Sequence, residues 1–239
     1  MSLREITETL LSELEGLTFP EPVAMTYNPL DYAWDNHRQY LDRYGEGKKK
    51  VLFLGMNPGP WGMAQTGVPF GEIPAVRDWM KLDGKIEKPK EEHPKRPVEG
   101  FECTRSEVSG RRLWGYFEEK YPEAGGFFKE HFVLNYCPLV WMSETGANIT
   151  PDKLTKATME PVEKACMKHL REVIAYLEPT YLIGVGAYAE KRLKEAVKPL
   201  GEENYQVGKV LHPSPASPAA NRGWAEAAER QLHELGIML

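Results

Sequence analysis

Two short segments hold the residues best suited to chemistry. Gly55-Met56-Asn57-Pro58-Gly59-Pro60 follows the apolar run Val51 to Leu54, and His212-Pro213-Ser214-Pro215 follows the strand-like run Gln206 to Leu211. Each places a polar side chain where a strand ends in a stiff turn. A residue before proline is pushed toward extended backbone, so Pro58 holds the Asn57 amide in one orientation. A held amide can orient a water or read the edge of a base. A neutral imidazole can donate one N–H to charge building on a leaving group without itself ionising. Local pattern alone leaves the blander readings open, because Asn-Pro starts many turns and a lone histidine is usually structural.

Three further places invite attention. Asn135 stands at the end of an apolar run, where both faces of a desolvated amide need partners. Phe70, between Pro69 and Gly71, sits on a turn where an aromatic ring can cover a pocket or plug the core. Gly184-Val185-Gly186 opens a helical stretch and weakly resembles a phosphate-binding turn. It lacks the third glycine and the P-loop lysine, which argues against a nucleotide-dependent enzyme.

These residues need a scaffold that brings distant segments together. Val51 to Met56, Phe132 to Cys137, Tyr181 to Gly186 and Gln206 to Leu211 read as strands, separated by helical patterns. That alternation predicts parallel βαβ units, and hence a three-layer α/β/α domain over residues 1–239 with a central four-stranded parallel sheet. Ligands in such sheets bind at the carboxyl ends of the strands. Asn57, Asn135, Gly186 and His212 should therefore converge. Leu3 to Leu14, Tyr27 to Tyr44 and Trp224 to Leu235 read as outer helices, and the polar stretch Lys85 to Gly100 as an exposed loop.

Composition narrows the function. The 239 residues lack any run of about 18 apolar residues that could span a bilayer. Cys103, Cys137 and Cys166 match neither a disulfide framework nor a zinc or iron–sulfur pattern, so no metal or cofactor is expected. A net charge of −5 excludes a large polycationic footprint but leaves room for small clusters such as Arg111-Arg112. The expected protein is a soluble intracellular monomer: cytoplasmic, nucleoid-associated in a prokaryote or nuclear in a eukaryote.

The segment Gly55 to Gly71, together with His212-Pro213-Ser214-Pro215 and Asn221-Arg222-Gly223-Trp224, resembles the uracil-DNA glycosylase superfamily. Within it, the likeness is to the single-strand-selective monofunctional family. Asn135-Tyr136-Cys137-Pro138-Leu139 is similar to that family's pyrimidine-reading segment, and Thr145 to Pro151 to a DNA-contacting loop. The resemblance implies hydrolysis of the N-glycosidic bond of uracil in single- and double-stranded DNA. Asn57 would hold the water attacking the deoxyribose C1′, and His212 would hydrogen-bond uracil O2. Asn135 would read the O4 and N3–H edge, Phe70 would stack on the base, and the Met56 backbone would touch it.

The same resemblance assigns DNA contacts to Gly146, Asn148 and Thr150, and to a wedge comprising Pro213, Ser214, Pro215, Ala216, Ser217, Asn221, Arg222 and Gly223. Ala216 and Ser217 stand where relatives often carry a larger, more basic pair. Gly59 stands where uracil-only relatives place a tyrosine, so a 5-hydroxymethyl group is expected to fit. Neither motif contains a lysine, in keeping with hydrolysis rather than Schiff-base lyase chemistry.

Overall fold

The structure, a computed structural model, describes residues 1–239. Seven strands form: β1 (Met25–Tyr27), β2 (Val51–Gly55), β3 (His131–Asn135), β4 (Val140–Met142), β5 (Asn148–Ile149), β6 (Tyr181–Val185) and β7 (Gln206–Val210). The four predicted strands are β2, β3, β6 and β7, and they pair in parallel in the spatial order β3-β2-β6-β7. Every residue of β2 and β3 is buried, as an apolar run covered on both faces requires. Edge strand β7 instead mixes exposed, half-buried and buried positions.

The helices are α1 (Leu3–Leu14), α2 (Pro29–Tyr32), α3 (Trp34–Tyr44), α4 (Met63–Thr66), α5 (Val108–Lys120), α6 (Ala124–Phe128), α7 (Lys156–Leu177), α8 (Ala187–Val197), α9 (Pro218–Asn221) and α10 (Trp224–Glu234). The path from β2 to β3 runs one way across the sheet, and those from β3 to β6 and β6 to β7 run the other. Right-handed crossovers therefore place α5 on one face and α7 and α8 on the opposite face. The packing agrees: α1 lies on α7, α7 on α8, and α5 on α10. The layers are the expected α/β/α.

Local chemistry fixes the ends of these elements. Ser2 and Glu5 form a reciprocal capping box on α1, while Thr155 caps α7 by accepting from Thr158 N–H at 3.2 Å. Aromatic rings fill the space beneath α5 and α6; Phe117 stacks on Phe127 at 4.3 Å and Tyr44 on Phe128 at 4.1 Å between centroids.

The sequence reading needs correcting in two places. Residues 27–44 are not one helix, because Tyr27 ends β1 and two helices follow. With β4 and β5, β1 makes a small antiparallel sheet, β1-β4-β5, that short strands of two or three residues do not announce. The stretch from Lys85 to Gly100 is exposed over most of its length but firmly pinned. Gly84 N–H donates to Asn36 Oδ1 at 2.9 Å, His93 N–H to the Tyr27 hydroxyl at 2.7 Å, and Glu99 N–H to Gln65 Oε1 at 2.8 Å. Val98 and His93 are buried.

Candidate active site

The order β3-β2-β6-β7 sets out the site before any side chain is considered. Asn135 is the last residue of β3, paired with Gly55 of β2. Asn57 lies two residues past the end of β2, and His212 two past the end of β7. One strand, β6, separates β2 from β7, so at about 4.8 Å per strand the two loops stand about 10 Å apart. That gap admits a planar six-membered ring. The chain leaves β2 in one direction and reaches β6 from the other, making this the switch point where open sheets bind ligands.

A cavity of about 400 Å³ occupies this place, and its walls include Met56, Asn57, Gly59, Phe70, Asn135 and His212. Asn148, Thr150, Ser214 and Pro215 form part of its rim. Sequence and structure thus agree on which distant residues meet.

Asn57 is oriented by its amide nitrogen, which donates to Leu139 O at 3.1 Å and more weakly to Pro58 O at 3.4 Å. Its Oδ1 is buried and has no partner. A buried acceptor without a donor is uncommon and calls for a ligand or a water. His212 is fixed the opposite way round: its Nδ1 accepts from Ser214 N–H at 3.1 Å, so in the neutral ring the proton sits on Nε2. Burial holds its pKa below the ordinary histidine value. The site therefore offers one acceptor and one uncharged donor.

Glycines make room for the rings. A Cβ at Gly55 would overlap Asn135 Oδ1 and come within 2.6 Å of the Phe70 ring, so the amide and the ring share the floor above β2 only because Gly55 lacks a side chain. Gly186, at φ +96°, passes the His212 side chain, where a Cβ would lie 3.2 Å away. Gly184 fulfils the same need on the other side, since a Cβ there would overlap the backbone of Glu190 in α8. The Gly184-Val185-Gly186 turn is thus accounted for by close packing. Phe70 itself adopts φ +55°, an unfavourable region for a bulky residue that often marks functional sites. It is held there by Trp114 Nε1 donating to Pro69 O at 3.1 Å and by Glu72 N–H donating to Phe70 O at 2.7 Å. Its ring lies 6.3 Å from that of His212. The Met56 carbonyl accepts from Cys137 N–H at 3.0 Å, which ties the end of β2 to the turn after β3.

The loop after His212 is exposed at Pro215, Ala216, Asn221 and Arg222. Its brace is Arg112 of α5, which donates to Pro213 O at 3.0 Å, Ser214 O at 3.3 Å and Asn221 Oδ1 at 2.8 Å. Asn221 Nδ2 in turn donates to Pro215 O at 2.9 Å. Asn221 thus uses both ends of its amide to shape the loop, with Gly223 at φ +136° closing it. Gly146 lies in the turn joining β4 and β5, beside His93 and Lys95 rather than in the cavity wall.

Sequence reasoning passed over Glu107, Ser109, Gly62 and Met63 in the cavity wall, and the roles of Arg112 and Gly55. Glu107 caps α5, its Oε1 accepting from Ser109 N–H at 3.2 Å. A carboxylate two residues before a serine at a helix start was the available signal. Burial, with the nearby charge of Glu72 adding to it, pushes the Glu107 carboxyl above the ordinary range.

A family model described as the uracil DNA glycosylase superfamily matches residues 42–232. The single-strand selective monofunctional uracil-DNA glycosylase of Rattus norvegicus is 50% identical over 96% of this chain and 82% of its own length. The Mus musculus protein of that name is 49% identical over the same shares. Among solved structures, wild-type SMUG2 from Pedobacter heparinus superposes with a TM-score of 0.67 at 16% identity, covering 99% of this chain and 97% of that one.

Proposed function

This chain belongs to the single-strand-selective monofunctional family of the uracil-DNA glycosylase superfamily, and from that premise we propose that it hydrolyses the N-glycosidic bond of uracil in DNA. The carrying observation is the Asn57 amide in the cavity wall that His212 also lines, held through Nδ2 by the Leu139 carbonyl and with its buried Oδ1 left unpartnered.

A base stacked in a duplex is out of reach, so the nucleotide must be extruded or already single-stranded. Phe70 offers a face for the pyrimidine, and Asn135 and the Met56 N–H offer polar groups for its edge. As the C1′–N1 bond lengthens, its electron pair moves onto the base and O2 gains negative charge. His212 Nε2–H donates to that oxygen; because the ring is neutral and half-buried, it stabilises the charge without giving up its proton. The sugar becomes oxocarbenium-like, for which a weak nucleophile suffices. Asn57 Oδ1 accepts one O–H of a water and directs its oxygen at C1′. The proton lost by that water balances the one the departing uracil anion takes up. The products are free uracil and an abasic site.

We also propose that the same pocket accepts 5-hydroxymethyluracil, since Gly59 leaves space at C5, and that the Pro213–Gly223 wedge, with Ala216 and Ser217 at its tip, opens paired sites less well than the wedge of relatives with a larger, more basic pair there. The test of the main reading is time-dependent release of free uracil from a labelled single strand, without added metal. Tight binding without release would favour a non-catalytic DNA-binding module instead. A requirement for metal, shown by loss with chelator, would favour a different enzyme class.

A further inference from the structure

We propose that Trp61, Arg96 and Arg105 form a second DNA subsite outside the base cavity, where the two guanidinium groups take phosphodiester groups of the single strand running away from the target nucleotide. The inference rests on the glycosylase reading and deepens it by placing the strand.

Trp61 differs from the other tryptophans. Of the six, Trp79, Trp114, Trp141 and Trp224 are buried in the core and Trp34 packs against it. Trp61 is half-buried, belongs to neither apolar cluster and does not line the base cavity, although its neighbour Gly62 does. Its ring is met by charge instead: the guanidinium carbons of Arg96 and Arg105 lie 5.1 and 5.6 Å from its centroid.

Two cations gathered at one ring repel each other, a cost that surface arginines commonly offset by pairing with acids. Arg77 pairs with Asp78 and Lys88 with Glu92, whereas Arg96, Arg105 and the exposed Lys95 have no carboxylate within ion-pair distance. The exposed Arg105 guanidinium has no hydrogen-bond partner in the protein. Arg96 gives one bond, from Nη1 to Lys95 O at 2.9 Å, and its buried Nε has no partner. A cation–π contact holds the planar group against the ring and leaves its N–H edge free for phosphate oxygens.

The arrangement is built before any strand arrives. Gln65 is fully buried; its Nε2 donates to Pro60 O at 3.0 Å and Pro97 O at 2.9 Å, while its Oε1 accepts from Glu99 N–H and Gly100 N–H at 2.8 and 3.2 Å. Pro60 precedes Trp61 and Pro97 follows Arg96, so one amide sets the ring and the guanidinium in register. The Tyr27 hydroxyl also donates to Arg96 O at 2.8 Å. Next to Arg105, Glu72 accepts from Ser106 Oγ at 3.0 Å and from Glu107 N–H at 2.5 Å. The firm pinning of residues 85–100 thus carries Arg96 to Trp61. This surface adjoins the cavity through Gly62 and Glu107, and at its other edge Lys95 lies beside Gly146. The Pro213–Gly223 wedge adjoins the His212 side of the same cavity, so the strand is held on both sides of the extruded nucleotide.

The experiment uses a single-strand oligonucleotide with a central tetrahydrofuran abasic analogue for affinity, and the same strand with uracil for single-turnover release. The proteins are the native chain, Arg96→Gln, Arg105→Gln, the double variant, and Lys129→Gln, an exposed lysine before β3 at the far end of the sheet. Between about 50 and 200 mM salt, each arginine variant should lower the slope of log affinity against log salt by about 0.7 and weaken binding roughly threefold to tenfold. Release at saturating protein should not change, and Lys129→Gln should alter neither quantity. With the analogue moved next to one end of the strand, the phosphates that reach Trp61 are absent, and the native protein should bind no better than the double variant. An unchanged slope in the double variant, an equal loss in Lys129→Gln, or native affinity indifferent to both end placements would overturn the proposal. A native protein that shows these binding effects but releases no uracil would instead overturn the glycosylase reading and leave the subsite standing.

Discussion

Replacing Asn57 with aspartate is a sharper probe of the water-holding role than truncation. Charge alone predicts a gain, because a carboxylate beside an oxocarbenium-like sugar is attractive. The local hydrogen bonds predict a loss. Asn57 Nδ2 donates to two carbonyl oxygens, those of Leu139 at 3.1 Å and Pro58 at 3.4 Å. An ionised carboxylate would turn a lone pair toward both. Losing that donor in a buried setting and facing acceptor with acceptor costs about 2–4 kcal/mol. At about 1.4 kcal/mol per pKa unit, this lifts the introduced carboxyl from about 3.9 to about 6. Only its neutral form can donate to Leu139 O and offer the other oxygen to the water. The Asn57→Asp rate should therefore peak near pH 5 to 6 and fall about tenfold per unit above that. Asn57→Ala should be slower than the native protein by a factor on the order of 10² to 10³. Single-turnover release of uracil from a labelled single strand between pH 5 and 9 measures both. An Asn57→Asp profile that rises with pH, or outpaces the native protein at pH 8, would refute the orientation argument.

Five other outcomes are expected. His212→Ala should lose roughly 10² to 10³ in rate while still binding DNA. In the native protein, burial and the Ser214 N–H on Nδ1 both oppose protonation, so the acid limb should lie below pH 6.5, and a midpoint above that value would contradict the neutral-donor role. Gly59→Tyr should abolish release of 5-hydroxymethyluracil before that of uracil; equal losses would refute the steric account. Ala216→Arg should raise activity on paired relative to unpaired uracil, and an unaltered ratio would count against the wedge. His37 and His169 are buried with pKa values lowered to about 4 and about 3, so the unfolded chain binds more protons than the folded one below pH 6.5. Stability should therefore fall as pH drops from 6.5 toward 4, by about 1 kcal/mol per unit for each histidine. Urea melts at pH 7 and pH 5 read this, and His169→Gln should flatten the slope.

The parallel sheet was legible because β2, β3 and β6 are continuous apolar runs punctuated by glycine and proline, a pattern that only a doubly covered strand requires. From their order along the chain came the convergence of Asn57, Asn135 and His212. The small sheet was not legible, since Met25–Tyr27 and Asn148–Ile149 are too short for alternation to register. What pins residues 85–100 was hidden for another reason: its anchors are backbone N–H groups meeting the side chains of Asn36, Tyr27 and Gln65, and backbone donors leave no mark in composition. Glu107 looked like any surface acid, because only the fold turns it toward Gly59. Arg112 read only as half of a small basic cluster, yet in the structure it ties α5 to the loop after His212.

The carbonyl that holds Asn57 belongs to Leu139, the residue immediately before β4, so the amide proposed to direct the reacting water is oriented from outside the main sheet. Competence for bond cleavage is thereby tied to the integrity of a three-stranded appendage that itself carries no reacting group.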